Sequence, residues 1–188
     1  MRFFISILAV VCCLFCFTAA FAEKDPNSTL EIPANLGDLN KTKVIDNEPK
    51  HSGLGTTIYY NRPGIKATVY IYRMGIKIIP DGIKSHVVQQ AFAMAQADIR
   101  GAARQGYFKL TSELTTSTRI LDPETKLISA LTASFSCQEN GEDLISILYV
   151  FGRRNQIIKI RISSKIENEV FLHTLREDFL KGVVGWMK

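Results

Sequence analysis

The pattern of apolar and polar residues divides the chain into three parts. An unbroken apolar run covers residues 3–17, a polar stretch covers residues 23–51, and regular alternation begins at Gly55. The polar stretch contains three prolines and only short apolar islands, a composition typical of an extended arm. We expect this arm to contribute one short strand, near residues 43–46.

The first regular segments predict a β-hairpin. Residues 55–61 and 65–73 are rich in threonine, tyrosine, isoleucine and valine, and the sequence Arg62-Pro63-Gly64 between them signals a turn. Successive side chains of a strand point to opposite faces. One face of the second strand is therefore apolar, with Ile65, Ala67, Val69 and Ile71, and the other carries Lys66, Thr68, Tyr70 and Tyr72.

Apolar residues then recur every three or four positions, which predicts an amphipathic helix from Ser85 to about Arg104. Ser85 is a suitable N-cap, and Gly106 is a suitable residue after the last turn. The buried stripe of this helix is expected to contain Val88, Phe92, Ala95, Ile99 and Ala102.

Four further strand segments and a closing helix complete the pattern. Residues 107–121 alternate as one long or bent strand, residues 126–138 and 143–152 are joined by an Asn-Gly turn, and residues 156–164 follow another turn. The sequence Ser164-Lys165-Ile166-Glu167 then matches a capping box. The helix that it begins has a predicted buried stripe of Phe171, Leu175, Phe179 and Val183.

This order of elements predicts an α+β fold, with an antiparallel sheet of about five to seven strands packed by two main helices. Two local sequences, Tyr70-Ile71-Tyr72-Arg73-Met74-Gly75 and Ile79-Pro80-Asp81-Gly82, resemble uncharacterised secreted bacterial proteins. Over residues 50–188 the order of elements is similar to the PsbP/Mog1-like α/β sandwich. That resemblance implies a fold and no particular site residues, because the same fold serves photosystem subunits, a nuclear transport factor and proteins of unassigned function.

The apolar run at the start of the chain has the organisation of a secretory signal peptide. Arg2 supplies the positive charge, residues 3–17 the apolar region, and Ala20-Phe21-Ala22 the small residues that a signal peptidase requires. An uncleaved anchor would need about 20 apolar residues, and the polar stretch directly behind the run favours cleavage. We therefore predict a cleaved signal peptide at residues 1–22 and a periplasmic or secreted protein with no stable membrane span after cleavage.

Composition favours one domain without disulfides. With residues 23–51 forming the arm, residues 52–188 are enough for a single α+β domain. Arg2 is the only charged residue of the leader, which leaves 22 basic and 18 acidic residues, and this net charge of +4 is weak evidence for a polyanionic partner. Cys137 is the only cysteine after cleavage, so no intramolecular disulfide can form.

The sequence contains no catalytic or metal-binding motif with the usual spacing of its residues. His51, His86 and His173 are isolated, and a single cysteine cannot build a thiolate site. The chain contains no G-x-S-x-G sequence that would place a nucleophilic serine. The sequence therefore predicts a protein with no enzymatic activity, no metal and no cofactor.

The polar face of the hairpin is the first candidate binding surface. Tyr70 and Tyr72 could share it with basic residues from later strands, which would combine aromatic and basic groups: Lys109, Lys159 and Arg161. Such surfaces bind single-stranded nucleic acid, but the predicted export argues against that partner. Two alternatives stay open: the tyrosines pack under the arm, or the surface binds an anionic component of the envelope.

The second candidate is the connection at residues 74–84, which carries Ile76, Ile78, Ile79 and Ile83. Four isoleucines are costly to expose to water. The connection therefore either folds over the edge of the sheet as part of the core or contacts a partner molecule.

We therefore expect an exported, noncatalytic binding or accessory protein of the bacterial periplasm that contacts an envelope protein. Its candidate contact residues are Tyr70, Tyr72, Ile76, Ile79 and Arg154. The alternative is a carrier of a small apolar ligand, with a pocket between the sheet and the helix at residues 85–104. In that helix, small side chains that leave room are Ala91, Ala95 and Ala102. The sequence indicates neither the partner nor the oligomeric state.

Overall fold

The computed structural model describes residues 31–167 and 169–188. The predicted signal peptide at residues 1–22 and the first part of the arm lie outside these residues. The described residues form two helices and nine strands, and the strands make one antiparallel sheet. The predicted α+β class is confirmed, while the sheet has more strands than the roughly five to seven expected. No helix of the described residues is long and apolar enough to cross a membrane.

Four strands precede the first helix, and five lie between the two helices. The strands are β1 (Asn35–Leu36), β2 (Leu39–Asp46), β3 (Thr56–Arg62), β4 (Ile65–Tyr72), β5 (Lys109–Leu110), β6 (Thr115–Ile120), β7 (Ser129–Glu139), β8 (Glu142–Arg153) and β9 (Gln156–Lys165). The helices are α1 (His86–Arg104) and α2 (Glu169–Met187). The sheet order is β1-β2-β3-β4-β9-β8-β7-β5, and β6 also pairs with β7. The last strand of the chain therefore pairs with β4 in the middle of the sheet.

The additional strands come from the arm and from residues 107–121. The arm supplies β1 and β2, an antiparallel pair, where the pattern predicts one short strand at residues 43–46. Residues 107–121, predicted as one strand, form β5 and β6, which both pair with β7. The break between them includes Ser112, whose Oγ accepts a hydrogen bond from the Ser136 N–H at 2.8 Å. This side chain takes the place of a backbone acceptor, so the ladder is interrupted there.

Tight turns set the register of three hairpins. β3 and β4 are joined by Pro63-Gly64, with Gly64 at a φ of 82°, and β7 and β8 by Asn140-Gly141, at φ of 51° and 81°. β8 and β9 are joined by Arg154-Asn155, at φ of 50° and 59°. In the second and third hairpins, positive φ at both central residues gives a turn whose twist matches that of the strands. The two hairpins predicted around Arg62-Pro63-Gly64 and Asn140-Gly141 are confirmed.

The sheet has a helix on each face and a separate core beneath each helix. One core cluster includes Val69 of β4 and Phe179 of α2. The other includes Leu148 of β8 and Phe92 of α1. We call the two sides of the sheet the α2 face and the α1 face. Alternation along β4 places Tyr70 on the α1 face, because its neighbour Val69 points to the α2 face.

Both helices bury most of the stripe that their spacing predicts. In α1, the buried residues are Val88, Ala91, Phe92, Ala95 and Ile99. Ser85 caps this helix, since its Oγ accepts a hydrogen bond from the Val88 N–H at 3.3 Å. In α2, the predicted residues Leu175, Phe179 and Val183 are buried. Placing Phe171 in that stripe is wrong, because its ring is 53% exposed and lies 5.6 Å from the guanidinium carbon of Arg62.

The connection from β4 to α1 folds over the end of the β8–β9 hairpin. Asn155 holds it, because its Oδ1 accepts a hydrogen bond from the Ile79 N–H at 2.7 Å and its Nδ2 donates to a carbonyl of the same connection. Gly82 and Gly152 pair through two backbone hydrogen bonds of 2.8 Å. A side chain at position 152 would not fit, since a Cβ there would lie 2.2 Å from the Pro80 carbonyl oxygen. The connection is therefore a fixed cover over this end of the β8–β9 hairpin, in the middle of the sheet.

Candidate functional site

The α1 face of the sheet is only partly covered by its helix. α1 packs mainly over β7 and β8, so β3, β4 and part of β9 lie beside the helix. A cavity of about 310 Å³ opens at this boundary, and a second cavity of about 230 Å³ adjoins it. The two cavities share Tyr70, Ala95, Asp98 and Lys159, and we call them together the α1 groove.

The walls of the α1 groove are apolar and partly open to water. Ala91 and Ala95 are one helical turn apart on the buried side of α1, and their small side chains leave space that larger residues would fill. Met74, Met94 and Leu54 border the same cavity. Leu54 and Met94 are each 49% exposed, which makes the mouth of the groove apolar. Because methionine side chains adapt to irregular shapes, these walls suit apolar molecules of more than one shape.

The floor of the groove combines two tyrosines with a lysine. Tyr70 and Tyr72 lie on β4, and Lys159 lies directly opposite Tyr70 in the pairing of β4 with β9. Lys159 Nζ is 4.2 Å from the centroid of the Tyr70 ring and 5.8 Å from that of the Tyr72 ring. Both distances are within the range of a cation–π interaction. The aromatic rings therefore stabilise the ammonium group in this position.

Burial changes the proton affinity of the floor residues. It lowers the pKa of Lys159, an effect that the charge of Asp98 opposes and the charge of Arg161 reinforces. Burial also raises the pKa of Tyr70 and raises the pKa of Tyr72 to about 12. The two tyrosine hydroxyls therefore keep their protons at neutral pH and can donate hydrogen bonds.

Arg161 borders the smaller cavity of the groove. Its guanidinium carbon lies 5.2 Å from the centroid of the Phe108 ring and 5.4 Å from that of the Phe135 ring. Its Nε donates a hydrogen bond to Ser146 Oγ at 3.0 Å. These contacts hold the guanidinium group in one orientation, two residues beyond Lys159 on the same strand.

Asp98 is an acidic residue that borders both cavities. It lies on α1, one turn after Met94, and is exposed to solvent. In the described part of the chain no carboxylate oxygen lies within 4.0 Å of Lys159 Nζ, so Asp98 forms no direct ion pair with this lysine. Across residues 31–167 and 169–188, no group of three or more His, Cys, Asp and Glu side chains is placed to hold a metal ion. The groove is therefore equipped to bind a molecule through apolar contact and charge.

The five predicted contact residues are divided among several parts of the molecule. Tyr70 and Tyr72 lie together on the floor of the α1 groove. Ile76 borders a separate cavity of about 300 Å³ and packs partly against the core beneath α1. Ile79 is 2% exposed, so its side chain belongs to that core and is not available to a partner. Arg154 is exposed in the β8–β9 turn, where its backbone N–H is hydrogen-bonded to the β4–α1 connection.

Sequence reasoning missed part of the groove. Met94 and Asp98 are four residues apart on α1, next to its buried stripe, and the helical period of about 3.6 residues could have placed them at the border of the contact between helix and sheet. Leu54 comes from the connection between β2 and β3, where no periodic pattern applies. Its position is set by Glu48, whose carboxylate accepts hydrogen bonds from the N–H groups of the two flanking glycines at 2.9 and 2.8 Å.

Comparisons with known proteins give no family assignment. No protein-family model and no curated protein sequence matches the chain. One similar solved structure is the crystal structure of PA94 from Pseudomonas aeruginosa, a protein of unknown function described as a candidate regulator. It has 16% sequence identity and a TM-score of 0.33, and the match covers 79% of this chain and 87% of that one. A likeness at this level carries no argument about function, which must be inferred from the groove itself.

Proposed function

We propose that this chain is a noncatalytic binding protein that holds a small, largely apolar molecule in the α1 groove. The observation that carries the proposal is an apolar cleft that stays open beside Ala91 and Ala95 on the buried side of α1. Its volume of about 310 Å³ lies at the lower end of the range for small-molecule sites, about 300–1,000 Å³. This arrangement supports the carrier hypothesis over a role confined to protein contacts.

The groove is a cleft open to solvent, so a molecule can enter it without rearrangement of the core. Its larger cavity has the volume of about ten waters in the liquid. Its mouth is bordered by Leu54 and Met94, whose exposed apolar surface would be removed from water by a bound molecule. Removal of that surface from water favours binding.

Filling the groove tests this proposal. We expect Ala95→Leu to weaken the binding of the neutral fluorescent probe 1-naphthylamine about tenfold, or about 1.4 kcal/mol, because the larger side chain occupies the cavity. Ala97→Leu is the matched control, since Ala97 lies on the exposed side of the same helix. Met94→Lys, at the exposed mouth, is a second variant with the same expected loss. Thermal melts identify which variants are folded, and unchanged probe affinity in the folded groove variants would contradict the proposal.

A protein partner is the second candidate, in line with the accessory role expected from the sequence. The observation that favours it is a group of exposed apolar residues around the start of α2: Ile166 (43%), Val170 (85%) and Phe171 (53%). Such a group is typical of an interaction site. Sedimentation of the protein released gently from its native envelope tests this role. A complex that dissociates in Val170→Glu supports it, and a monomer in the original protein contradicts it.

We also propose that binding takes place outside the cytoplasm, in the periplasm or after secretion, with no stable membrane span in the mature protein. The support is the leader pattern of residues 1–22, which lies outside the described residues. Amino-terminal sequencing of the protein from its native cells tests this location. A chain that begins at Glu23 supports export, and a chain that retains residues 1–22 contradicts it.

We further propose that the sheet and its two helices form a PsbP/Mog1-like sandwich. The support is the order of elements, in which a hairpin precedes α1, and a meander of β7, β8 and β9 precedes α2. An experimental structure tests this relationship. Failure of β3 to α2 to superimpose on that fold in the same connectivity would contradict it.

A further inference from the structure

Lys159 places an incompletely compensated positive charge on the floor of the α1 groove. Its neighbours on β9, Ile158 and Ile160, are fully buried on the α2 face, so alternation directs Lys159 to the α1 face. There its side chain is half-buried, with the Tyr70 ring 4.2 Å from Nζ and no carboxylate oxygen of the described residues within 4.0 Å. Removing a charge from water is unfavourable unless a partner replaces the water. The site therefore favours an anion beside this ammonium group.

The charges around the groove favour a ligand with one negative charge. Lys159 and Arg161 contribute two positive charges to its lining, and Asp98 contributes one negative charge. Arg161 already faces two phenylalanine rings and donates to Ser146, so Lys159 is the cation that a ligand can engage more directly. A second negative charge on the ligand would add repulsion from Asp98. A monoanion therefore matches the groove better than a dianion.

The size of the groove limits the ligand to a short, single-chain molecule. The larger cavity, of about 310 Å³, accommodates about ten non-hydrogen atoms if each takes about the 30 Å³ of a liquid water molecule. Leu54, Met74 and Met94 border this space and would surround an apolar tail. A lipid with two acyl chains exceeds this volume, so a free molecule with a single short chain matches the cavity better.

We propose that the α1 groove selects a free, single-chain carboxylate of about ten non-hydrogen atoms, with Lys159 as the counter-ion of the carboxylate. This inference rests on the proposed function, because it names the ligand class of the same groove. The carboxylate pairs with Lys159 Nζ beside the Tyr70 ring, and the tail packs against the methionine and leucine side chains. A charged hydrogen bond in a partly buried site is stronger than the same contact in water.

Three probes of one chain length test this ligand class by isothermal titration calorimetry on the purified protein: octanoate, octanamide and octylamine. Octanamide matches octanoate in shape and lacks its charge. We expect octanoate to bind about tenfold more tightly than octanamide or better, because only octanoate forms a charged contact with Lys159. Octylamine is expected to bind more weakly than octanamide, since the lysine repels its ammonium group.

Substitution of Lys159 separates charge from shape. Lys159→Met keeps most of the apolar stem, and we expect it to reduce the affinity for octanoate about tenfold while leaving octanamide unchanged. Lys159→Arg keeps the charge and is expected to retain the preference for octanoate. Lys66→Met is the matched control, because Lys66 lies on the same face of β4 and is exposed outside the groove.

The outcomes distinguish this inference from the proposed function. Equal affinities for octanoate and octanamide, both weakened by Ala95→Leu, would overturn the carboxylate selection and leave the groove as a binding site. A preference for octanoate that persists in Lys159→Met would show that Lys159 is not the counter-ion of the carboxylate. If none of the three probes binds, the ligand class is wrong, and the binding of 1-naphthylamine to the original protein and to Ala95→Leu decides separately whether the groove binds small molecules.

Discussion

The two residues that flank Lys159 determine which face of the sheet its side chain lies on. Ile158 and Ile160 fill the core on the α2 face, which leaves the α1 face for the side chain between them. α1 lies to one side of this position, and Tyr70 of β4 lies directly opposite. A lysine that would be fully solvated on an uncovered sheet is therefore half-buried beside aromatic rings. The charge of Lys159 therefore affects the stability of the folded protein, and this effect can be measured without any ligand.

Lys159 gives the stability of the protein a specific pH dependence. Burial lowers its pKa in the folded protein from the ordinary value of 10.5, which the unfolded chain retains. Between the lowered pKa and 10.5 the unfolded state binds more protons, so the contribution of this residue to the free energy of unfolding rises with pH. We expect Lys159→Met to raise the melting temperature at neutral pH, and we expect this advantage to shrink as the pH approaches 10.5.

The two tyrosines on the floor of the groove have the opposite effect on the pH dependence of stability. Burial raises the pKa of Tyr70 and Tyr72, so above their ordinary value of 10.0 the unfolded chain loses these protons first and stability falls as the pH rises. Thermal melts of Lys159→Met and the original protein at each pH isolate the lysine, since both proteins contain the tyrosines. An advantage of equal size at about pH 7 and about pH 10 would contradict a lowered Lys159 pKa.

At the scale of elements, the β4–α1 connection shows how isoleucines are accommodated outside a helix or strand. Ile78 and Ile79 are adjacent, yet Ile78 is 77% exposed and Ile79 is 2% exposed. The hydrogen bond from the Ile79 N–H to Asn155 fixes the backbone at this point. The side chain of Ile79 then enters the core beneath α1, while that of Ile78 faces solvent. At this point of the connection, one hydrogen bond fixes the backbone and one buried side chain anchors it in the core.

The adjacent isoleucines form a matched pair for testing this anchor. We expect Ile79→Ala to lower the free energy of unfolding by about 2–5 kcal/mol, because it leaves a cavity in a packed core. Ile78→Ala removes the same atoms from an exposed position and is expected to change that free energy by about 0.5 kcal/mol or less. Urea unfolding measures both values. Equal effects of the two substitutions would show that Ile79 does not anchor the connection.

Most elements with strong local signals could be predicted, and elements that depend on distant contacts could not. The capping box predicted at Ser164-Lys165-Ile166-Glu167 is wrong, because Ser164 and Lys165 belong to β9 and α2 begins at Glu169. Ser85 caps α1 and Gly64 permits the β3–β4 turn, and both signals can be recognised from neighbouring residues. The interruption between β5 and β6 depends on the contact of Ser112 with Ser136, which lies on another strand. The exposure of Phe171 depends on where the first turn of α2 lies relative to the sheet. No local sequence pattern indicates either the interruption between β5 and β6 or the exposure of Phe171.

At the scale of the whole molecule, the arm is part of the core. Ile32, Leu36 and Leu39 are at most 3% exposed and belong to the cluster beneath α2. The turn between β1 and β2 approaches α2 so closely that a Cβ on Gly37 would lie 2.8 Å from the Asp178 carbonyl carbon. The polar composition of the arm concealed this role, because its apolar residues are few and these three are buried.

The α1 groove is likewise a property of the complete fold. Periodicity alone identifies the tyrosine face of β4 and the alanines of α1. The position of the groove depends on how far α1 extends over the sheet and on the pairing of β4 with β9, which is distant in sequence. The sequence therefore suggests that Tyr70 and Lys159 share a face, whereas their direct opposition is set by the register of the sheet.

Removing the arm tests whether the sheet is stable without it. A chain that begins at residue 52 lacks β1 and β2 and uncovers the core beneath α2, including Tyr60, whose hydroxyl donates to the Pro33 carbonyl at 3.0 Å. Each large buried side chain that is lost contributes about 2–5 kcal/mol, while a typical domain is stable by about 5–15 kcal/mol. We therefore expect the chain from residue 52 to be unfolded by circular dichroism and the chain from residue 31 to melt cooperatively.

A point substitution examines the same contacts in a chain that still folds. Leu39 is fully buried, and Lys43, farther along β2, is exposed. We expect Leu39→Ala to lower the free energy of unfolding by about 2–5 kcal/mol, and Lys43→Ala to change it by about 0.5 kcal/mol or less.

If the chain from residue 52 melts at the temperature of the longer chain, the arm is dispensable and residues 52–188 are an independent domain. If it is unfolded and Leu39→Ala is destabilised as expected, the folding unit begins with the arm, because the core beneath α2 is completed only when β1 and β2 are in place.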